Sequence, residues 1–407
     1  MSGLISMLRD DITRNGPMTF ARYMSIALYH PDGGYYVGAG TGREPLGWQG
    51  DFITSTDVHP LWGWCMARQL HQMWQLMGQP QTFHVLEAGG GRGLLGAEVW
   101  RYARDAAPDW AESLRYVLLD RAGPDAPLRQ MREQRLAARL AELNLPPDAV
   151  QWLDDASSAF ATRSLTGCIV ANELVDALPV HRLVKHAGEL REISVDWDQT
   201  AQALVEVADA VSSPELACYL DQYGVRWQTY PDGWQCEVCL EAERWLDGMP
   251  RLVDSGFMLI VDYGALAKDL YVPERPTGTL LAYSQHRLNE HFLAHPGEQD
   301  LTAHVNFSAL IAAARARHLR LAGFTTQANF LRGLGIREEA ERLGQQMYPA
   351  AFAERHTDRG QADYLRYRSL LAAVATLTDT RGLGGFRVVA LQRGVPGSGR
   401  RLQGFAQ

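Results

Sequence analysis

The chain has 407 residues, 46% of them hydrophobic and 21% charged, with a formal net charge of −8. That length exceeds what one hydrophobic core normally fills, so one large domain with a substantial appendage, or two domains, is expected, and the composition excludes extensive disorder. No run of Lys or Arg rises above the background and no apolar run approaches the roughly 18 residues of a membrane span, so neither a nucleic-acid partner nor membrane insertion is expected.

The N-terminus, MSGLISMLRDDITRNGPMTF, lacks both a signal-peptide hydrophobic region and an Arg-rich transit pattern, which predicts a cytoplasmic protein. The five cysteines, Cys65, Cys168, Cys218, Cys236 and Cys239, are odd in number and sparse, as suits a reducing compartment. Cys236 and Cys239 form a CxxC without a second pair at zinc-finger spacing, so no metal is expected.

Residues 1–80 read as an N-terminal helical cap. An amphipathic helix is followed by the aromatic-rich GPMTFARYMSIALYHPDGGYY, and a second long helix over 61–78 stops at Gly78 and Pro80. From 81 to 264 short apolar runs alternate with helices: FHVLEA (83–88), a helix from about 93, RYVLLD (115–120), a helix through PLRQMREQRLAARLAEL, AVQWL (149–153) and GCIVANEL (167–174). Strand, helix, strand in this order predicts an α/β fold with a parallel sheet covered on both faces.

An insertion at about 183–250 interrupts that core. The stretch 181–207 alternates like an antiparallel hairpin turning near Gly188, and a helix follows at about 237–248. GFMLIVDYG (256–264) and GGFRVVALQR (384–393) read as further core strands. Residues 265–383 read as loop and helices on the substrate side, and 384–407 as the final core strand and tail.

VLEAGGGRG ends a strand and opens a helix, with Glu87, Gly89, Gly91 and Gly93 in the order acidic-x-Gly-x-Gly-x-Gly. Glycines there let backbone N–H groups approach a ligand without Cβ obstruction. A dinucleotide fingerprint counted from Gly89 fails at Leu94; counted from Gly91, GRGLLG matches with Gly96 last, but begins late after the strand. The tighter GxGxG behind Glu87 looks like the S-adenosylmethionine (SAM) motif of class I methyltransferases, in which a carboxylate can neutralise the ligand's amino group. Asp120 ends the next strand, where a carboxylate can accept from ribose hydroxyls, or else caps a helix. Asp154 and Asp155 follow the third strand, either at an adenine edge or as surface loop residues.

These residues belong to a wider pattern. GPMTFARYMSIALYHPDGGYY, GDFITSTDVHPLWGWCMARQL (50–70), the glycine loop, VANELVDALPVHR (170–182), LIVDYG (259–264), GTLLAYSQHRLNEHFLAHPGEQDLTAHVNF (278–307) and TQANFLRGLGI (326–336) run collinearly along nearly the whole chain. In this pattern the chain resembles the MidA-like family of SAM-dependent protein-arginine methyltransferases. It departs from the family's EIGPGRG or EIGAGRG loop by having Gly90 at the proline or alanine position, which makes the turn more flexible without removing its small residues.

The resemblance implies a class I, Rossmann-like methyltransferase sheet, SAM as cofactor, and a protein substrate. Mitochondrial members are implicated in methylating an arginine of a respiratory complex I subunit. It also places Asn172, Glu173 and Asp176 beside the methyl-transfer centre, with the carboxylates suited to a guanidinium, or as a strand-end turn and helix cap. Asp300 and His304 fall in a loop that closes over the site, together with Glu298 and Asn306, or serve as helix caps. Thr54, with Asp51, Phe52 and Ser55, is implied to border the cofactor. Two rivals stay open: a small-molecule O- or N-methyltransferase, with the aromatic cap (Tyr29, Tyr35, Tyr36, Trp48, Trp62, Trp64) lining its pocket, and a catalytically silent assembly factor.

Overall fold

Seven apolar segments pair into one central sheet: β1 (Phe83–Ala88), β2 (Leu114–Leu119), β3 (Val150–Leu153), β4 (Leu165–Asn172), β5 (Val253–Asp262), β6 (Arg320–Thr326) and β7 (Arg387–Arg393). The computed structural model describes residues 3–37, 44, 47, 53–154, 164–284, 287–395 and 401–406. Strand order is β6-β7-β5-β4-β1-β2-β3, with β1 to β5 parallel and β7 antiparallel to both β5 and β6. Phe257 to Val261 of β5 are all at most 1% exposed, as a strand covered on both faces requires. Each such side chain contributes about 1.5–3 kcal/mol relative to its exposed state.

One face of the sheet packs on helices Leu61–Leu76, Leu94–Ala106 and Pro127–Glu142, the other on Leu240–Leu252 and Phe307–Ala316. After β1 the chain moves outward through β2 and β3, then returns to lay β4 on the opposite side of β1. This topological switch opens a crevice at the carboxyl ends of the strands. Register keeps those ends level, since Ala88 pairs with both Leu119 and Ala171.

The insertion forms a second, antiparallel sheet. His181–His186 and Glu189–Asp198 make the expected hairpin, turning through Ala187 and Gly188, both at positive φ as a two-residue hairpin turn demands. Ala203–Asp209 and Gln235–Val238 extend it.

Two expectations need correction. The first 80 residues are not one helical cap: Met18–Thr19 is a short strand paired with Val195 and Ser194, and helices Gly3–Asn15 and Phe20–Tyr29 pack on the second sheet, whereas Leu61–Leu76 belongs to the main core. Residues 265–383 are not all loop and helix, because β6 lies within them. Its RLAGFTT is half exposed at the sheet edge and carries no strong alternation to read.

All five cysteines are free. Among the described residues no helix is long and apolar enough to cross a membrane, and no three metal-binding side chains gather.

Candidate active site

A pocket of about 520 Å³ sits in the crevice, bounded by Glu87 to Arg92, Leu119 to Arg121, Asp154, and Asn172 to Leu174. The glycine loop forms its floor. Gly89, Gly91 and Gly93 have φ of +70, +51 and +70°, a left-handed conformation in which side chains are strained. A Cβ on Gly89 would lie 2.7 Å from Leu174 Cδ1, and one on Gly93 2.9 Å from Leu136 Cδ2. Gly93 is thus a packing position that does not face the pocket. Gly96 is another, pressed against Tyr116 and Val150.

Glu87 is buried and accepts from the Tyr116 hydroxyl at 2.7 Å. Burial pushes its carboxyl up to about 8, against the lowering effect of that bond. Asp120 receives Arg132 Nη1 at 2.9 Å and the Arg121 N–H at 2.7 Å. Arg132 also grips Glu44 through Nε and Nη2, at 3.2 and 2.9 Å. Asp154 lines the pocket from an exposed position, 3.4 Å from Arg129 Nη2. Thr54 lines it too, its N–H and Oγ1 both donating to Asp57 Oδ2, while Arg92 pairs with Asp57 from the loop. Asp51, Phe52 and Asp155 lie outside the described residues.

At the end of β4, Asn172 and Glu173 line the pocket and Asp176 does not. Glu173 takes φ +52° and accepts the Ser55 N–H at 2.9 Å and Asn172 Nδ2 at 3.2 Å. Burial, with Asp176 adding, pushes it up to about 7. Asn172 Oδ1 is buried with no partner among the described residues. Asp176 lies behind the wall, bonded by the Tyr263 hydroxyl and pushed up to about 6 by burial. Beside it Asp262 Oδ2 accepts the Val175 and Asp176 N–H groups at 2.8 and 3.2 Å, and burial raises Asp262 well above the usual range.

Asp300 reaches the pocket only through Tyr36, whose hydroxyl it accepts at 2.8 Å. Tyr36 stacks on Tyr29 at 5.7 Å, and Tyr29 donates to the Ala177 carbonyl. His304 is off the wall, its ring 5.3 Å from that of Tyr263, and burial lowers it to about 4. Asn306 is a helix cap, accepting from the N–H groups of Ser308 and Ala309. Of the aromatic cap, Tyr29 and Tyr36 line the pocket and Trp62 is core; Trp48 lies outside the described residues.

Arg92, Arg132, Asp262, Trp245 and Met249 were not among the expected site residues. The last two line the pocket from the inserted helix Leu240–Leu252, where they read as ordinary apolar-face residues.

Residues 65–325 match the model of the S-adenosyl-L-methionine-dependent methyltransferase family. The chain belongs to this family. It is 28% identical over 359 residues to the mitochondrial protein arginine methyltransferase NDUFAF7 homolog of Drosophila melanogaster, across 84% of this chain and 76% of that one. With mouse NDUFAF7, also named a mitochondrial protein arginine methyltransferase, identity is 29% over 341 residues, or 80% and 72% of the two chains. A Burkholderia thailandensis crystal structure with bound S-adenosyl-homocysteine superposes with a TM-score of 0.82 at 28% identity, covering 99% of this methyltransferase and 94% of that chain.

The pocket of this methyltransferase fits SAM on its own geometry. Gly89, Gly90 and Gly91 line it without side chains, the Asn172 side-chain carbonyl lacks a donor among the described residues, and Glu87 and Asp120 supply acceptors for an ammonium and for hydroxyls. Of the residues expected to bind the cofactor, Glu87, Gly89, Gly91, Asp120, Asp154 and Thr54 line this pocket and would hold it.

Proposed function

We propose that this methyltransferase modifies an arginine side chain of a protein. The observation that carries the reading is the acidic end of the pocket. Glu173 lies on the wall with Asp176 and Asp262 behind it, and their partners are backbone N–H groups, Ser55, Asn172 and Tyr263, with no cationic side chain among the described residues. Buried carboxylates without a counter-ion favour a cationic guest, and a planar guanidinium fork suits them geometrically. The names of the relatives support the same acceptor.

Bound SAM supplies an electrophilic methyl group on a sulfonium. The chain's part is alignment within about 3–3.5 Å and exclusion of water. Glu173, when ionised, orients the guanidinium and takes up the proton released, a task for which a value about 7 is well matched. Tyr36, fixed by Asp300, and Tyr29 close the wall beside it. That aromatic pair also favours a second reading, a small planar nucleophile as acceptor.

A respiratory-complex subunit as the substrate rests on the family resemblance. A cytoplasmic setting, or another reducing compartment, is supported by the five free cysteines.

Purified enzyme, labelled SAM and a host lysate test the proposal, with mass spectrometry of the labelled products. Label on protein arginine is the expected result. Label on lysine or on metabolites alone overturns the arginine assignment, and no label with SAM bound favours a silent assembly factor.

A further inference from the structure

A second cavity, of about 590 Å³, opens between helix Leu61–Leu76 and helix Ile336–Met347. Three guanidinium groups face it, those of Arg68, Arg101 and Arg342, against two carboxylates, Asp105 and Glu339. The carboxylates are over-subscribed. Arg68 and Arg342 share Glu339, Asp105 is taken by Arg104 from outside the wall, and Arg101 shares Glu98 with Arg139 at 2.9 and 3.0 Å. A local surplus of cations on a chain of net charge −8 calls for a specific counter-ion.

The cations are held in place. Arg101 and Arg342 lie over the Trp64 ring at 5.0 and 5.7 Å from its centre, and Tyr102 meets that ring edge-on at 5.7 Å. Trp64 is 6% exposed, and neither its Nε1 nor the buried Nε of Arg101 has an acceptor among the described residues. Buried donors without acceptors are costly unless something supplies them. Burial lowers the Arg101 pKa, with Arg139 and Arg104 adding against the opposing effect of Glu98, and His59 on the same wall is kept neutral by burial and by Arg101.

One segment, residues 54–61, lines first the methyl-transfer pocket and then this cavity. Thr54 and Thr56 line that pocket, with the Ser55 N–H between those two holding Glu173, and His59, Pro60 and Leu61, three residues on, line this one. A shift of the short helix Ser55–Val58 would be felt on both sides.

We propose that this cavity is a regulatory site for a small multivalent oxyanion, phosphate- or carboxylate-bearing, whose binding alters the SAM pocket through residues 54–61. Guanidinium forks bind either oxyanion in bidentate fashion, so the chemistry is shared and the two sources are separated by experiment.

The test is calorimetry with pyrophosphate and with citrate, against sodium chloride at matched ionic strength. Arg342→Gln, at a half-exposed position, and Arg101→Gln are compared with wild type after circular dichroism confirms folding. Saturable binding of one probe, one per chain, is expected, weakened at least tenfold in either variant. A probe concentration that just saturates wild type should change its affinity for S-adenosylhomocysteine at least threefold and change that of Arg342→Gln by less. The proposal is overturned by no saturable binding of either probe, by equal binding in both variants, or by binding that leaves S-adenosylhomocysteine affinity untouched. Preference for pyrophosphate assigns a phosphate ligand, and preference for citrate a carboxylate one.

Discussion

The backbone N–H of Ser55 donates to Oε1 of Glu173 at 2.9 Å, so a residue of the N-terminal segment holds the carboxylate that follows β4. Glu173 needs that hold, because it sits at φ +52°, where a non-glycine residue is strained by roughly 1–2 kcal/mol. Glu173→Gln keeps the shape and removes the charge. Methyl transfer should fall about ten- to a hundredfold, the equivalent of one charge-assisted hydrogen bond of roughly 1.5–3 kcal/mol. Affinity for S-adenosylhomocysteine should stay within a few fold. Asp176→Asn should cost less in transfer, since Asp176 stands behind the wall. Single-turnover rates of both variants check the order, and a larger loss in Asp176→Asn would reverse the roles.

The same carboxylate sets a pH dependence. Burial raises Glu173 from its ordinary 4.5 to about 7, so folding favours the neutral form. The stabilisation is complete below pH 4.5 and is lost as pH rises through 7. Melting temperature of the ligand-free enzyme should therefore decline between pH 5 and 8, less steeply in Glu173→Gln. Activity should move the other way, with kcat/KM rising through about pH 7 as Glu173 ionises. A kcat/KM flat from pH 5.5 to 8 would remove Glu173 as the ionised group.

Gly91 tests the cofactor floor. At φ +51° a valine is strained in its backbone, and its branched side chain would compete for the space a ligand needs. Gly91→Val should lose S-adenosylhomocysteine binding beyond calorimetric detection, with a stability loss of about 1–2 kcal/mol in urea. Unchanged affinity would put the cofactor elsewhere.

The legible parts of the site were those built from one stretch of chain. The glycine loop and Asp120 after β2 stand at strand ends that a parallel sheet brings level, which spacing makes legible, whereas Asn172 and Glu173 after β4 were expected at the site from the family resemblance. Arg132 was not legible, because mid-helix among other charged residues it has the pattern of a solvated face, yet it joins Asp120 to Glu44 from a buried position. That Asp176 and His304 stand off the pocket wall was not legible either: polar residues beside a motif look alike in sequence, whereas in the fold Tyr263 bonds to the one and packs against the other. The edge strand β6 escaped because half-exposed strands lose the apolar run that marks β5 and β7.

His304 accordingly makes a negative prediction. Its ring packs on Tyr263 and is kept neutral by burial. His304→Gln should leave methyl transfer within about threefold, with any loss appearing in melting temperature as a packing change of roughly 1 kcal/mol. A hundredfold loss of transfer at unchanged stability would return it to the reacting groups.

Trp245 decides whether the insertion belongs to the cofactor site. Helix Leu240–Leu252 follows the second sheet and leads into β5, and it buries Leu246 completely while Trp245 and Met249 reach the pocket wall. Both pack against the same core cluster as Leu119 and Leu174, at the end of β2 and in the turn after β4, and these four supply apolar surface to a pocket that Asp120 and Asp154 also line. Trp245→Ala removes a large flat surface from that wall and should weaken S-adenosylhomocysteine about tenfold, corresponding to roughly 1.4 kcal/mol. Trp245→Phe, which keeps an aromatic face, should recover most of it. Calorimetry on the two variants separates contact from scaffolding. Equal weakening in both, together with a lower melting temperature, would make Trp245 a support for the helix and leave the pocket to be closed by Met249 and Leu174.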